Sequence, residues 1–116
     1  MDTSQLEKIG FSPVVMEEIK EITGGYAGDL LSWVMAGAQD GDCWFTIMGN
    51  MNTIAVASLV DVAAVVLCDG VTLEDTMIDR AKEEGVNIFY TELSVYEASV
   101  KFHGYFHSLR GKADVL

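Results

Sequence analysis

Positive charge is what this sequence has least of. Seven Lys and Arg stand against 18 Asp and Glu, a formal net charge of −11. Phosphate backbones and anionic headgroups are held by clustered cations that displace counterions, so the composition excludes nucleic-acid binding and attachment to a membrane surface. The acids are spread along the chain at positions where helix surfaces and turns are expected, and read as a solvated face. Proline occurs once, at Pro13, where it forbids continuation of any first helix. Cysteine occurs twice, at Cys43 and Cys68, in apolar runs without C-x-x-C spacing. That usage excludes a disulfide framework and suits a reducing, cytoplasmic setting. No apolar run reaches membrane-spanning length, because Ser58 and Asp61 interrupt the longest one, Ile54 to Cys68. Met1 to Gly10 lacks the basic region and apolar core of a signal peptide.

Catalytic motifs are equally scarce. Gly24, Gly25 and Gly28 match neither G-x-x-x-x-G-K-[ST] nor G-x-G-x-x-G, which removes the phosphate-binding loop of a kinase or ATPase. No G-x-S-x-G elbow positions a serine nucleophile. Cys68, followed by Asp69 and Gly70, is the best-placed nucleophile, but its neighbours supply acids where a reactive thiolate needs a cation. His103 and His107 have the i, i+4 spacing at which two imidazoles share a metal, yet they are half a site, and no H-E-x-x-H frames them. No cofactor is implied. Trp33, Trp44 and the six methionines read as core.

What is present is enough apolar material, 50% of 116 residues, for one modest core and one domain over residues 1–116. That core spans about residues 10–109, with Gly111 to Leu116 a loose tail. Ser4 with Glu7 has capping-box spacing for a short first helix ending at Gly10. Pro13 to Met16 and Ile19 to Ile22 read as short strands, and Thr23 to Asp29 as a loop whose Gly-Gly pair takes positive φ and whose Asp29 caps the next helix. Leu30, Leu31, Val34 and Ala38 recur at helical spacing. Cys43 to Met48, Ala64 to Leu67 and Val86 to Tyr90 read as strands buried on both faces. Between them, Asn52 to Asp61 is a helix apolar nearly all round, as for a central helix or an oligomer interface, and Thr72 with Asp75 opens a surface helix stopped by Gly85. Ser94 with Glu97 caps a long last helix. Strands alternating with helices predict an α/β fold of three layers, α/β/α, with a mainly parallel central sheet and right-handed crossovers.

In such sheets ligands collect at the carboxyl ends of the strands. Four loops are therefore candidates. The first offers Thr23, Gly24, Gly25 and Asp29; the second Thr46, Gly49, Asn50, Asn52 and Thr53; the third Cys68, Asp69 and Gly70; the fourth Thr91 and Ser94. Backbone amides in these small, polar loops can hold an anion without a lysine.

Four stretches carry a resemblance: Ile22 to Trp33 (ITGGYAGDLLSW), Trp44 to Thr53 (WFTIMGNMNT), Ile54 to Gly70 (IAVASLVDVAAVVLCDG) and Thr91 to Ala98 (TELSVYEA). In order and spacing, from about Gly10 to Phe106, they are similar to the DRTGG domain family, and to its stand-alone members encoded near iron-only hydrogenase and redox genes. The family is named for a G-D-R segment after one strand and a T-G-G segment after the next. Gly49, Asn50, Met51 and Cys68, Asp69, Gly70 occupy those positions here, so the basic residue is replaced. The resemblance implies a fold like the N-terminal domain of HPr kinase/phosphorylase, whose catalytic domain and phosphate-binding loop have no counterpart in this sequence. Relatives joined to CBS domains in regulated pyrophosphatases, or to a phosphotransacetylase domain, imply a regulatory, dimer-forming role. No catalytic residue transfers. The expectation is a non-catalytic ligand-sensing module, a homodimer that binds a nucleotide or small anionic metabolite at the strand-end loops. The alternative is a scaffold or accessory subunit of a redox, hydrogenase-type complex, with a protein partner and no small-molecule ligand.

Overall fold

The structure, a computed structural model, describes residues 1–110; the tail expected over Gly111 to Leu116 lies outside the described residues. Its centre is a five-stranded sheet in the order β1-β5-β4-β3-β2, with β1 (Ser12–Val15), β2 (Gly24–Ala27), β3 (Asp42–Thr46), β4 (Ala64–Leu67) and β5 (Ile88–Tyr90). β2 to β5 run parallel, and β1 lies antiparallel along the outer edge of β5. Every residue of β3 and β4 is buried, the pattern of strands covered on both faces. Alternation then sends Cys43, Phe45, Ala64, Val66 and Phe89 to one core, and Trp44, Val65, Leu67 and Ile88 to the other.

The two layers of helix are unequal. α1 (Leu31–Gly37), α2 (Met51–Val60) and α3 (Asp75–Glu84) link successive parallel strands, each step advancing one place along the sheet in the same direction. Crossovers of one hand that advance in one direction put their helices on one face, and these three share the core around Trp44 and Ile54. The opposite face has α4 (Val95–Arg110), which contributes Ala98, Phe102 and Phe106, and the N-terminal segment, which contributes Leu6, Ile9 and Phe11. The sheet is thus the middle of three layers, as expected.

Several local expectations are corrected. The first helix is two 3-10 turns, Thr3–Gln5 and Glu7–Ile9, and the capping box belongs to Asp2 and Gln5 where Ser4 and Glu7 were expected. Ile19 to Ile22 forms no strand; a single bridge joins Asp2 to Glu21. Thr23 to Asp29 is not a loop, because Gly24–Ala27 is β2, the edge strand, paired to β3. Neither Gly24 nor Gly25 has positive φ. The pair is there for close approach: a Cβ on Gly24 would stand 2.8 Å from Asp42 Oδ1, and one on Gly25 3.1 Å from Phe102 Cε2. Leu30, not Asp29, is the N-cap of α1, and Glu74, not Thr72, is the N-cap of α3. α2 runs one residue earlier than the expected Asn52 to Asp61, with Asp61 as its left-handed C-cap, and the expectations for the Gly85 stop and for the Ser94–Glu97 box hold: Glu97 N donates to Ser94 Oγ at 3.1 Å, and Ser94 N to Glu97 Oε1 at 3.2 Å.

Phe89, 1% exposed on β5, fills the core beneath α4. Phe89→Ala should cost about 3–5 kcal/mol, read as a lowered urea midpoint at unchanged m value.

Candidate functional site

Ligands of parallel sheets sit where neighbouring strands send their following helices to opposite faces. β4 leads to α3 on one face and β5 to α4 on the other, so that crevice lies at the carboxyl ends of β4 and β5. A depression of about 230 Å³ occupies it, with Gly70, Thr72, Tyr90, Thr91 and Glu92 in its walls. The structure brings to this pole Asp29, Thr46, Gly49, Asn50, Asn52, Thr53, Cys68, Asp69, Gly70, Thr91 and Ser94 of the sequence candidates. Thr23 and Gly24 are displaced from it: they stand at the amino end of β2, at the opposite pole, where Thr23 N donates to Gly41 O at 2.9 Å. Reading β2 as a loop is what misassigned them.

The polar groups at the carboxyl pole are engaged with one another. Asp29 Oδ1 accepts from Thr46 Oγ1 at 2.7 Å and from Ile47 N at 2.9 Å, tying the end of β2 to the end of β3. Asn50 Oδ1 caps α2 by accepting from Asn52 N and Thr53 N, and Thr53 Oγ1 donates to Met48 O at 2.6 Å. Gly49 lets this loop touch the next one, since a Cβ there would meet Val71 Cγ1 at 2.8 Å and Thr72 O at 3.2 Å. Asp69 N and Gly70 N donate to Leu93 O and Thr91 O, and the Tyr90 hydroxyl accepts from Leu73 N. The Glu92 carboxylate lies over Gly70, and among the described residues no Lys or Arg lines the crevice.

Neither cysteine is poised for chemistry. Burial is the main reason the Cys68 thiol is pushed up to about 11; Asp69 raises it further, a backbone hydrogen bond from Thr46 opposes this, and Asp29 adds to the rise. Burial raises Cys43 well above the ordinary thiol range, with Cys68 and Asp42 adding to it. The His103 and His107 rings lie 4.0 Å apart, and among the described residues no group of three or more His, Cys, Asp or Glu is placed to hold a metal.

A larger depression lies elsewhere. Between β2 and α4 runs a groove of about 690 Å³. Phe45, Phe102 and Phe106 wall it, with ring centroids 5.3 and 5.4 Å apart in succession. Its other side is the glycine-rich strand, and Ser99, His103 and Gly104 complete it. Gly25, read from the sequence as part of a strand-end loop, lines this groove instead. The groove itself went unread because its two walls are 75 residues apart in the chain and only the edge position of β2 brings them together. A third depression, of about 560 Å³ at the amino pole, is rimmed by Glu18, Glu21, Asp40, Asp61 and Glu84 around Lys20, whose Nζ donates to Gly85 O at 3.0 Å.

No family model and no curated protein sequence matches the chain. Among solved structures it is similar to the CBS and DRTGG domains of the regulatory region of Clostridium perfringens pyrophosphatase, complexed with the activator diadenosine tetraphosphate. The TM-score is 0.67 at 15% identity, over 81% of this chain and 42% of that one. The chain therefore has a DRTGG-like fold, and spans under half the length of the structure it matches.

Two outcomes follow from this geometry. Asp29→Ala, which strands the Thr46 hydroxyl and the Ile47 amide, should cost about 1–3 kcal/mol by chemical denaturation, and Asp29→Asn less. Cys68 should resist iodoacetamide at pH 7.5 in the folded protein and react faster as pH climbs toward 11. An exposed thiol ionises near 9.0 and this one near 11, so the stability Cys68 contributes is whole below pH 9 and is lost as pH rises through 11. Urea midpoints measured across that window check the direction.

Proposed function

We propose that this chain is a non-catalytic regulatory module that senses a nucleotide or small anionic metabolite and works as a homodimer. The β2–α4 groove carries the reading. It has the size and the mainly apolar lining of a small-molecule receptor, with Phe45, Phe102 and Phe106 buried beneath its floor, and among the described residues its walls offer no carboxylate pair or activated nucleophile. A regulatory role is supported by the shared fold, since the Clostridium perfringens region is regulatory and is complexed with a nucleotide activator. Asp29, Thr46, Asn50 and Thr53 of the carboxyl pole act in this reading as the frame that fixes the strand ends, their hydrogen bonds being made to one another and to the neighbouring backbone.

Charge distinguishes the groove from the depressions at the two poles. The crevice at the carboxyl pole carries Glu92 and the amino pole five carboxylates, whereas residues 98–104 of α4, which flank the groove, include no acid and include Lys101 and His103. An anionic ligand is least repelled along α4. The homodimer rests on a different face. α1 and α2 contain no charged residue, and Trp33 and Leu59 on them are 71% and 70% exposed. In a chain of net charge −11, a neutral apolar face is where a second copy approaches without like-charge repulsion. The same face would serve the second reading, an accessory subunit of a redox complex docked on a protein partner.

A thermal-shift screen of nucleotides and acyl phosphates, run beside light scattering, separates the two. The sensing module predicts a raised melting temperature with at least one compound, and a dimer that Leu59→Glu dissociates. A strict monomer indifferent to every compound would leave the scaffold reading in its place.

A further inference from the structure

We propose that the free edge of β2 takes an extended, uncharged segment of a partner protein as a sixth strand of the sheet. The proposal goes beyond the sensing role above and stands or falls separately from it.

β2 is the last strand on its side of the sheet, so one of its edges pairs with β3 and the other with nothing. Gly28 N donates to Phe45 O, and the two-residue alternation of a parallel ladder then turns the N–H and C=O of Gly25 and Ala27 away from β3. Gly25 and Ala27 are exposed, and among the described residues none of these four groups has a hydrogen-bond partner. Phe102 and Phe106 are buried and Gly25 packs on Phe102, so an occupant of this place lies along the edge of β2 rather than between β2 and α4. The opposite edge of the sheet is treated differently. β1 carries the single proline, Pro13, and its register with β5 slips between Pro13 and Val15. A missing donor and an irregular register are the usual guards against edge pairing, and β2 has neither.

A second copy fits this edge poorly. On the side of the sheet that faces α4, β2 presents only Gly25 and the methyl of Ala27, so two copies set edge to edge would gain almost nothing from cross-strand side-chain pairs. A strand with larger side chains supplies what β2 lacks. Its alternate residues would reach the flank of α4, where Val100 is 55% exposed and a Cβ at Gly104 would meet nothing within 4 Å. Charge selects the segment further. Residues 22–28 carry no charge, the Asp29 carboxylate beyond them is engaged by Thr46 and Ile47, and the Lys101 ammonium lies beside Gly10. In a chain of net charge −11, a neutral segment rich in β-branched residues gains main-chain hydrogen bonds here without desolvating a charge.

The test titrates the purified 116-residue protein with the blocked peptide Lys-Thr-Val-Thr-Val-Thr-Lys, followed by amide NMR and hydrogen exchange. The peptide should shift the Gly25 and Ala27 amides and slow their exchange, and a control with serine at both valines should bind at least tenfold more weakly. Strand pairing uses the N–H groups of alternate residues only. Of two forms N-methylated at the valines or at the threonines, one should therefore lose binding and the other keep it. Ala27→Pro should melt close to the parent protein, because that N–H takes no part in the ladder and an edge strand tolerates proline, yet weaken the peptide at least tenfold. Val100→Asp, outside the sheet, should weaken it several-fold. No binding by the parent peptide, equal binding by both N-methylated forms, or undiminished binding to Ala27→Pro overturns the proposal. Protection of the Gly25 and Ala27 amides that grows with protein concentration in the absence of peptide gives the edge to a second copy and overturns it as well.

Discussion

A right-twisted parallel strand reaches its neighbour through a right-handed crossover, and here three such crossovers step in one direction, from β2 to β3 to β4 to β5. That constraint fixes almost everything else. It commits α1, α2 and α3 to one face and leaves the other to α4 and two 3-10 turns. One helix cannot cover four parallel strands evenly. Phe102 and Phe106 therefore cover the sheet near Phe45, and the flank of α4 beside the outermost strand is left as a groove. The same winding produces the crevice at β4 and β5, because the chain changes faces only after β5.

Electrostatics then differentiates places that topology leaves equivalent. Both poles of the sheet are acidic, and Lys20 at the amino pole is already committed to Gly85 and to Asp61, 3.6 Å away. The acid-free run of α4 lies beside an uncharged edge strand, so charge and shape favour the same place. The engaged side chains of the carboxyl pole, Asp29, Thr46, Asn50 and Thr53, have a structural economy of their own: each satisfies backbone or hydroxyl groups that strand ends and helix starts leave open.

The central strands were legible in the sequence because burial on both faces requires continuous apolar runs, and Cys43 to Met48 and Ala64 to Leu67 have them. The Ser94–Glu97 cap and the Gly85 stop were legible because their signals are local. β2 was not, because Gly-Gly-Tyr-Ala has neither alternation nor β-branched residues; its strand character comes from pairing with β3 and from the closeness of Phe102 and Asp42. That one misreading placed Thr23, Gly24 and Gly25 in a strand-end loop and hid the groove that Gly24 and Gly25 border. The carboxyl-pole residues were gathered correctly because the rule for parallel sheets depends only on strand direction, whereas their mutual saturation depends on side-chain distances that no spacing encodes.

The open side of β2 has a consequence for solubility. Bare strand edges are ordinarily guarded by lysine, proline, a bulge or a covering segment, since an unguarded edge invites pairing with the edge of another molecule. Gly24 to Gly28 has none of the first three. A molecule seated along that edge would occupy the very amides through which two sheets could join, so occupancy of the groove and resistance to aggregation would rise and fall together.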